Sequence, residues 1–433
     1  MRTRILRNIF ISFGVLFAST QLLAAGTNER VPNFSNTPLF PLDRAQALSM
    51  PSERGYANQN TVNEAKRALE AAAAAKTAAG REARIRAPLD SPAPNALGTF
   101  ITFDAPGAVF GTYPSGINPR GVIVGTFVDE NFVGHGFLRA RGGSITTFDV
   151  PNAVNGTYPS GINTAGVVIG TFADVNFVGH GFVRAIDGSI ATFDVPGAFD
   201  GFFFLTSINP AGLIVGTLFD ENFVTHGFVR ATNGTITTID VPGAVNGTTA
   251  IGINPMGVIT GIYTDASFLS HAFVRASDGT LTTFDPPSPG FMEPFAPFSF
   301  GPELSITPQG VITGTYFEPI PGNPFGGNFR VFVRATDGTF TTFDAATYPP
   351  CCIWSFPTAI NPAGTITGSF NDGFTINHGF LRTSDGTITT FDVPGAGTGF
   401  NQGTAPLGIT PEGIIMGLYI DTNYGVHGFL RMP

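Results

Sequence analysis

The sequence predicts an all-β fold, a seven-bladed β-propeller built from four-stranded blades. Three phrases each recur seven times after residue 97, with small variations: FD-x-P, His-Gly-Phe followed by an arginine, and I-N-P-x-G. Successive FD-x-P aspartates are 45 to 48 residues apart, with one interval of 59. Four short antiparallel strands in a repeat of this length are typical of one propeller blade. We therefore assign residues 98–433 to the propeller.

The first complete repeat predicts four strands separated by recognisable turns. We expect strands at Thr112–Asn118, Val122–Val128, His135–Ala140 and Ser144–Val150. A turn at Asn118-Pro119 separates the first two strands. In later repeats Asp-Gly or Asn-Gly separates the last two, as in a two-residue hairpin.

The two ends of the repeat region predict how the last blade is completed. The segment Thr99–Asp104 has the pattern of a fourth strand with no third strand before it, and His427–Arg431 is a third strand with no fourth strand after it. Pairing these two segments supplies the outer strand of the last blade and removes an exposed sheet edge.

The first 97 residues predict export and a connecting segment. Arginines at positions 2, 4 and 7 precede an apolar stretch that ends in Ala24-Ala25, the pattern of a signal peptide over residues 1–25. Residues 26–97 are predicted to be a Pro- and Ala-rich linker with a helix at 61–86. We expect a bacterial protein that is secreted, periplasmic or held at the cell surface, with no membrane span after cleavage. The alternative is that the apolar stretch remains as an anchor.

The charge of the repeat region limits the class of partner. Residues 98–433 contain 10 Lys and Arg against 24 Asp and Glu, and both lysines of the chain, Lys66 and Lys76, precede it. An acidic surface without lysine argues against nucleic acid, which needs a basic footprint. A protein or glycan partner is compatible with this charge, and we expect a monomer.

The histidine phrase resembles that of a known protein family. Residues His271-Ala272-Phe273 carry its literal His-Ala-Phe form, and five other repeats carry His-Gly-Phe. Over residues 98–433 the chain resembles the HAF family of bacterial extracellular repeat proteins. The resemblance implies repeats and export, and it implies no activity.

The residues that recur in every repeat are predicted to be structural. All six histidines occupy one repeat position, where the fifth repeat has Arg330. Equivalent positions in neighbouring sheets, about 10 Å apart, cannot converge on one zinc ion. We expect the FD-x-P aspartate to accept a hydrogen bond from the following turn, and the D-x-N segments, such as Asp129-Glu130-Asn131, to be plain turns and not calcium sites. Neither a metal nor a cofactor is predicted.

Candidate binding residues lie where the fifth and sixth repeats depart from the pattern. Insertions occur at Pro286–Glu303 and Glu318–Asn328, and the connection Ala345–Pro357 is irregular. All three should emerge on one face, and aromatic side chains on irregular loops often mark recognition surfaces. The alternative is that these segments pack on one another or plug the central channel. The candidate residues are Phe291, Phe295, Phe298, Phe300, Tyr348, Trp354 and Phe356.

The only cysteines of the chain, Cys351 and Cys352, are adjacent. Three states remain open: a strained disulfide between neighbours, two buried free thiols, or a bond to another chain. In none of these three states do we expect the fold to depend on a disulfide for its stability.

These observations predict a non-enzymatic scaffold that binds a protein or glycan partner through its loop-bearing face. The alternative is a polysaccharide hydrolase or lyase with its site at the axial mouth of the propeller, for which Glu303 is the acid to check. The sequence contains no G-x-S-x-G, H-E-x-x-H or P-loop motif.

Overall fold

The computed structural model describes residues 98–287, 291–292, 304–319, 327–346, 354–371 and 376–433. At 291–292 only the backbone is described. The predicted signal peptide 1–25 and the linker 26–97 with its helix 61–86 lie outside the described residues. No helix in the described ranges is long and apolar enough to cross a membrane.

The described chain is all-β, and its strands pair antiparallel in groups of four that are typical of propeller blades. We letter the strands of each group a to d in chain order. A short 3₁₀ turn at Phe199–Gly201 precedes the third group. The first three groups are separate sheets: β2 (Thr112–Ile117), β3 (Ile123–Val128), β4 (Gly134–Arg139) and β5 (Ile145–Phe148); β6 (Thr157–Ile162), β7 (Val168–Ala173), β8 (Gly179–Arg184) and β9 (Ile190–Phe193); β10 (Phe203–Ile208), β11 (Ile214–Phe219), β12 (Thr225–Arg230) and β13 (Ile236–Ile239).

The later strands pair in the same way, and single pairings such as Phe329 with Trp354 connect some neighbouring groups. These strands are β14 (Thr248–Ile253), β15 (Ile259–Thr264), β16 (Ser270–Arg275) and β17 (Leu281–Phe284); β18 (Phe291–Met292), β19 (Leu304–Ile306), β20 (Ile312–Pro319), β21 (Gly327–Arg334) and β22 (Phe340–Phe343); β23 (Trp354–Ile360), β24 (Ile366–Asn371), β25 (Asn377–Arg382) and β26 (Ile388–Phe391); β27 (Gly403–Ile409), β28 (Ile415–Ile420) and β29 (Val426–Met432).

The first strand of the described chain, β1 (Thr99–Phe103), pairs antiparallel with the last strand, β29. The register runs from Thr99 opposite Met432 to Phe103 opposite Gly428. The predicted pairing of these two segments is therefore observed. A core cluster next to this pair joins Ala105, Ile123 and Phe137 to Met416 and Leu430, so residues from both ends of the repeat region pack together.

Burial explains why the b strands have continuous apolar sequences. All six residues of β3, Ile123–Val128, are buried, whereas β5 has only exposed and half-buried residues. A strand that is covered on both faces cannot alternate apolar and polar residues. Core clusters join consecutive sheets, as where Val124 packs with Val168 and Phe182.

The asparagine of the I-N-P-x-G phrase closes the a–b turn and links neighbouring sheets. Asn118 Oδ1 accepts hydrogen bonds from the backbone N–H groups of Arg120 and Val122. Its Nδ2 donates to the carbonyl of Asn163 in the next sheet, at 3.2 Å. Asn163, Asn209, Asn254 and Asn361 reach their own next sheets in the same way.

The predicted insertions of the fifth repeat differ from expectation in one respect. The segment Pro286–Glu303 was expected to separate strand d from strand a, but Phe291–Met292 forms a strand opposite Phe317 and Tyr316 of β20. The residue of the first sheet that is equivalent to Tyr316 is Phe127. Phe127 pairs with Thr112, which is the first residue of strand a. The insertion therefore interrupts strand a after its first residues.

The second insertion is also partly regular structure. Strands β20 and β21 are eight residues each, and they extend their hairpin through the pairs Glu318–Asn328 and Pro319–Gly327. Only 320–326 of the predicted insertion lies outside the described residues.

Candidate functional site: the face of the b–c and d–a connections

A histidine and two aspartates meet in the same way in most sheets. His135 on strand c donates from Nδ1 to the carboxylate of Asp149 at 3.0 Å, and its Nε2 is 3.5 Å from Asp129 in the b–c turn. The imidazole stacks on Phe127 of strand b, with ring centroids 5.1 Å apart. The Nδ1 contact is 2.6 to 3.0 Å long at all six histidines, namely His135, His180, His226, His271, His378 and His427.

This geometry corrects the predicted role of the FD-x-P aspartate. Its carboxylate accepts from the histidine of the neighbouring strand c, whereas the following turn is held by a threonine. The backbone N–H of Val150, after Asp149, donates to Thr157 Oγ1 at 3.1 Å. The sequence contained this signal, because histidine and aspartate lie 14 residues apart in one repeat after another. At the chain ends the partners are His427 and Asp104, 323 residues apart.

In the fifth repeat an arginine occupies the histidine position. Arg330 donates two hydrogen bonds to Asp344, at 2.9 and 3.0 Å, and one to Glu318 at 3.0 Å. The bonds to Asp344 raise the pKa of Arg330 above its usual value. The two carboxylates of this cluster therefore share one permanently charged cation.

The b–c turns are built on an aspartate that accepts from its own backbone. Asp129 Oδ1 accepts from the N–H groups of Asn131 at 2.8 Å and Val133 at 2.9 Å. Burial acts to raise the pKa of Asp129, but these backbone hydrogen bonds outweigh it and lower the pKa below 3.8. The D-x-N segments are turns, as predicted. In the described part of the chain, no group of three or more His, Cys, Asp or Glu residues is arranged to hold a metal ion.

Each of these turns ends in an aromatic residue with a left-handed backbone. The residues are Phe132, Phe177, Phe223, Phe268 and Tyr424, with φ between 61° and 64°. Residues other than glycine rarely adopt this conformation, and it costs about 1–2 kcal/mol for a side chain with a Cβ. Phe223 and Phe268 are 51% and 66% exposed. Five strained aromatic residues therefore recur at equivalent positions, and three of them, Phe132, Phe223 and Phe268, are exposed.

The d–a connections lie beside these turns. The N–H groups of Val109 and Phe110 donate to the carbonyl of Val128, at the end of strand b. Phe110 stacks on Phe132 at 4.0 Å, and Phe199 contacts Phe223 edge-on. We call the exposed or half-buried apolar residues of these connections the turn surface: Val109, Phe132, Val154, Val175, Phe177, Phe223, Val245, Phe268, Leu269, Phe400 and Tyr424.

The turn surface was missed in the sequence analysis, although a signal was present. An aromatic residue follows Asp129-Glu130-Asn131, Asp174-Val175-Asn176, Asp220-Glu221-Asn222 and Asp421-Thr422-Asn423 without exception. The left-handed conformation of these aromatic residues could not be read from that pattern, since the sequence has asparagine, a better left-handed residue, one position earlier.

The predicted binding residues are only partly described. Phe295, Phe298, Phe300 and Tyr348 lie outside the described residues, as do Glu303, Cys351 and Cys352. Phe291 is described by its backbone alone, in β18. Trp354 is half-buried and contacts Phe329 edge-on, with ring centroids 6.2 Å apart. Phe356 is 1% exposed and packs in the same small cluster, so it contributes to packing.

The repeated arginine has a partner that the sequence did not reveal. Arg184 Cζ lies 4.9 Å from the ring centroid of Phe148, which is on strand d of the preceding sheet. Five other arginines contact a strand-d phenylalanine in the same way, at 4.3 to 5.0 Å: Arg139, Arg230, Arg334, Arg382 and Arg431. For Arg139 the partner is Phe103 of β1, so this contact joins the first sheet to the strand that pairs with β29.

Comparison with known proteins indicates the fold class. No protein-family model matches the sequence, and no curated protein matches it. A selenomethionine-substituted virginiamycin B lyase from Staphylococcus aureus is similar in structure, with a TM-score of 0.50 and 16% identity over 77% of this chain and 99% of the lyase. The β-propeller domain of the trilobed protease from Pyrococcus furiosus has a TM-score of 0.49 and 10% identity, over 74% of this chain and 95% of that one. The virginiamycin B lyase is a β-propeller, and its likeness supports the propeller class for this chain. Membership of the HAF family stays a prediction.

Proposed function

We propose that the chain forms a closed ring of seven blades that acts outside the cytoplasm as a non-enzymatic binding scaffold for a polymeric glycan. The number of blades is supported by the seven recurrences of each sequence phrase and by the repeated four-strand pairing. Closure is supported by the β1–β29 pairing and by the Arg139–Phe103 contact. Export is supported by the signal-peptide pattern of residues 1–25.

The observation that carries the proposed function is the recurrence of a left-handed aromatic residue in five b–c turns, three of which expose the ring to solvent. A left-handed phenylalanine costs stability that asparagine or glycine would save, and such strain is concentrated at functional positions. Phe268, which is 66% exposed, also keeps most of its apolar surface in water and so gains little from folding. A contact with a partner accounts for both features.

The chemistry of the turns favours sugar over other partners. Aromatic rings offer a flat apolar face to the C–H face of a sugar ring, and the adjacent carboxylates and amides can hydrogen-bond to hydroxyl groups. The acidic repeat region disfavours acidic polymers. Equivalent sites around a ring fit a partner that repeats, because several weak contacts combine into strong overall binding.

An enzymatic role is less well supported by the described residues. The cluster Arg330, Glu318 and Asp344 departs from the repeat, but the arginine binds both carboxylates, so neither is free for acid–base chemistry. Glu303, the acid on which the hydrolase or lyase alternative depends, lies outside the described residues.

The test is native electrophoresis of the protein through gels that contain one soluble polysaccharide each: xylan, mixed-linkage β-glucan, mannan or polygalacturonate. We expect at least one neutral polymer to retard the protein, with no retardation by polygalacturonate. Replacing the five turn aromatic residues with asparagine should abolish the retardation. The control is Ile186→Asn, which changes an exposed apolar residue in a c–d turn on the opposite face.

Two results would contradict the proposal. If no neutral polymer retards the protein, the partner is not such a glycan, and a protein partner becomes the better hypothesis. If the five-turn variant is retarded as strongly as the wild type, the turn surface is not the binding face. Shortening of the polymer, measured by size-exclusion chromatography, would favour the hydrolase or lyase alternative.

A further inference from the structure

Arg275 is the exception among the seven repeated arginines. The equivalent of the strand-d phenylalanine is Ile239 in the preceding sheet, so Arg275 has no aromatic ring to contact. The guanidinium edge lies against the c–d turn in the usual way, since a Cβ built on Gly279 would be 3.4 Å from Nη2 of Arg275. Among the described residues, Arg275 therefore differs from the other repeated arginines in lacking the phenylalanine ring that covers their guanidinium groups.

The surroundings of Arg275 also differ from those of five of its equivalents. In Arg139, Arg184, Arg230, Arg334 and Arg382 the Nε atom is buried without a hydrogen-bond partner. Arg275 Nε is not one of these buried, unpaired atoms. Instead Arg275 lines a cavity of about 390 Å³ between the third and fourth sheets. That volume is within the usual range of small-molecule sites.

The cavity combines one cation with an apolar lining. Leu213 and Val229, both half-buried, contribute apolar surface, and Met256, which is 71% exposed, lies at the rim. Thr235 and Thr237 contribute hydroxyl groups from strand d of the third sheet. Exposed Asp278 lies within electrostatic range of Arg275, so the local positive charge is limited. Such a site suits a monoanion better than a phosphate dianion, which calls for several cations.

We propose that the cavity between the third and fourth sheets binds a small organic carboxylate, with the carboxylate on Arg275 and an apolar body against Leu213 and Val229. Arginine binds carboxylates through two parallel hydrogen bonds, and a planar apolar group can cover the guanidinium face that Ile239 leaves uncovered. The cavity is lined by the a–b turn Pro255-Met256 and by Ser277 after strand c, so it lies on the face opposite the turn surface. The proposal does not depend on the glycan-binding function.

The test is titration of the full-length protein with benzoate, benzyl alcohol and inorganic phosphate, followed by NMR or calorimetry. We expect saturable benzoate binding that is about tenfold weaker in Arg275→Gln, the effect of losing one charge-assisted contact. Benzyl alcohol and phosphate should bind at least about tenfold more weakly than benzoate. The matched control is Arg230→Gln, which removes an equivalent arginine that already contacts Phe193.

A second variant keeps the test decisive if Arg275→Gln unfolds. Ile239→Phe should place a ring over Arg275, as in the other sheets, and weaken benzoate binding while the arginine stays. The proposal is overturned if wild-type protein shows no saturable benzoate binding, or if Arg275→Gln and Arg230→Gln reduce it equally. Phosphate binding as tight as benzoate binding would overturn the assigned ligand class.

Discussion

At the scale of single residues, the aspartate, arginine and asparagine that recur in the repeats make contacts between strands and between sheets. The aspartate binds a histidine of the neighbouring strand, the arginine covers a phenylalanine of the preceding sheet, and the asparagine reaches a carbonyl of the next sheet. The sequence indicated that these residues are structural, because each occurs in every repeat. Their partners could not be read from it, since contacts between sheets depend on how the sheets stack.

The arginine–phenylalanine contact leads to a stability prediction. Arg184→Gln removes the cation from the ring of Phe148 and should lower the free energy of unfolding by about 1 kcal/mol. Arg275→Gln should change it by less than about 0.5 kcal/mol, because Arg275 has no ring to lose. Urea unfolding of both variants gives the comparison. Equal losses would show that the contact with the ring is not the stabilising interaction.

The arginine of the fifth repeat leads to a second prediction. Arg330→Ala leaves Glu318 and Asp344 without their shared cation, so we expect a loss of about 1–2 kcal/mol after allowance for partial solvent exposure. Arg330→His restores the residue of the other repeats and should recover part of that loss below pH 6, where the imidazole is protonated. Thermal unfolding at pH 5.5 and 8 measures both. If Arg330→His is no more stable than Arg330→Ala at pH 5.5, histidine and arginine are not equivalent at this position.

At the scale of elements, the sequence predicted the regular strands well and the irregular segments poorly. Strand β2 ends at Ile117, one residue before the predicted end, and β3 starts one residue later than predicted. The turn residues and the repetition of the pattern agree there. The short strand Phe291–Met292 was not predicted, because its pairing depends on β20, more than twenty residues later in the chain.

The b–c turns combine local strain with exposure, and this leads to a prediction about stability and binding together. Phe268 has φ of 62° and is 66% exposed. Phe268→Asn should raise the free energy of unfolding by up to about 1 kcal/mol, because asparagine tolerates the left-handed region. The same change should weaken polysaccharide retardation. Ile186→Asn, at an exposed position without a left-handed backbone, should produce neither effect. A destabilised Phe268→Asn variant would show that the ring is retained for packing.

At the scale of the whole molecule, the two ends of the repeat region meet in one group of strands. Strand β1 pairs along its full length with β29, His427 binds Asp104, and Arg139 covers Phe103. The contacts of β1 and Asp104 with β29 join residues more than 300 positions apart, so forming them costs more chain entropy than forming the equivalent contacts inside a repeat. The sequence revealed this arrangement through the incomplete first and last repeats. It did not reveal the turn surface or the cavity at Arg275, because both depend on side-chain and backbone conformations.

The central claim, a ring closed by its own first strand, is tested most directly by deleting residues 98–105 from the full chain. Removing β1 uncovers Phe429 and Leu430, which are buried, and takes away the packing of Phe103. Burial of three such side chains is worth roughly 5–8 kcal/mol, comparable with the whole stability of many proteins. Thermal unfolding should therefore show a drop of about 10 °C or more, or no folded protein. Deleting the eight preceding residues, 90–97, should leave the melting temperature unchanged. Closure would be contradicted if the variant that lacks residues 98–105 had the same melting temperature as the wild type and the 90–97 deletion.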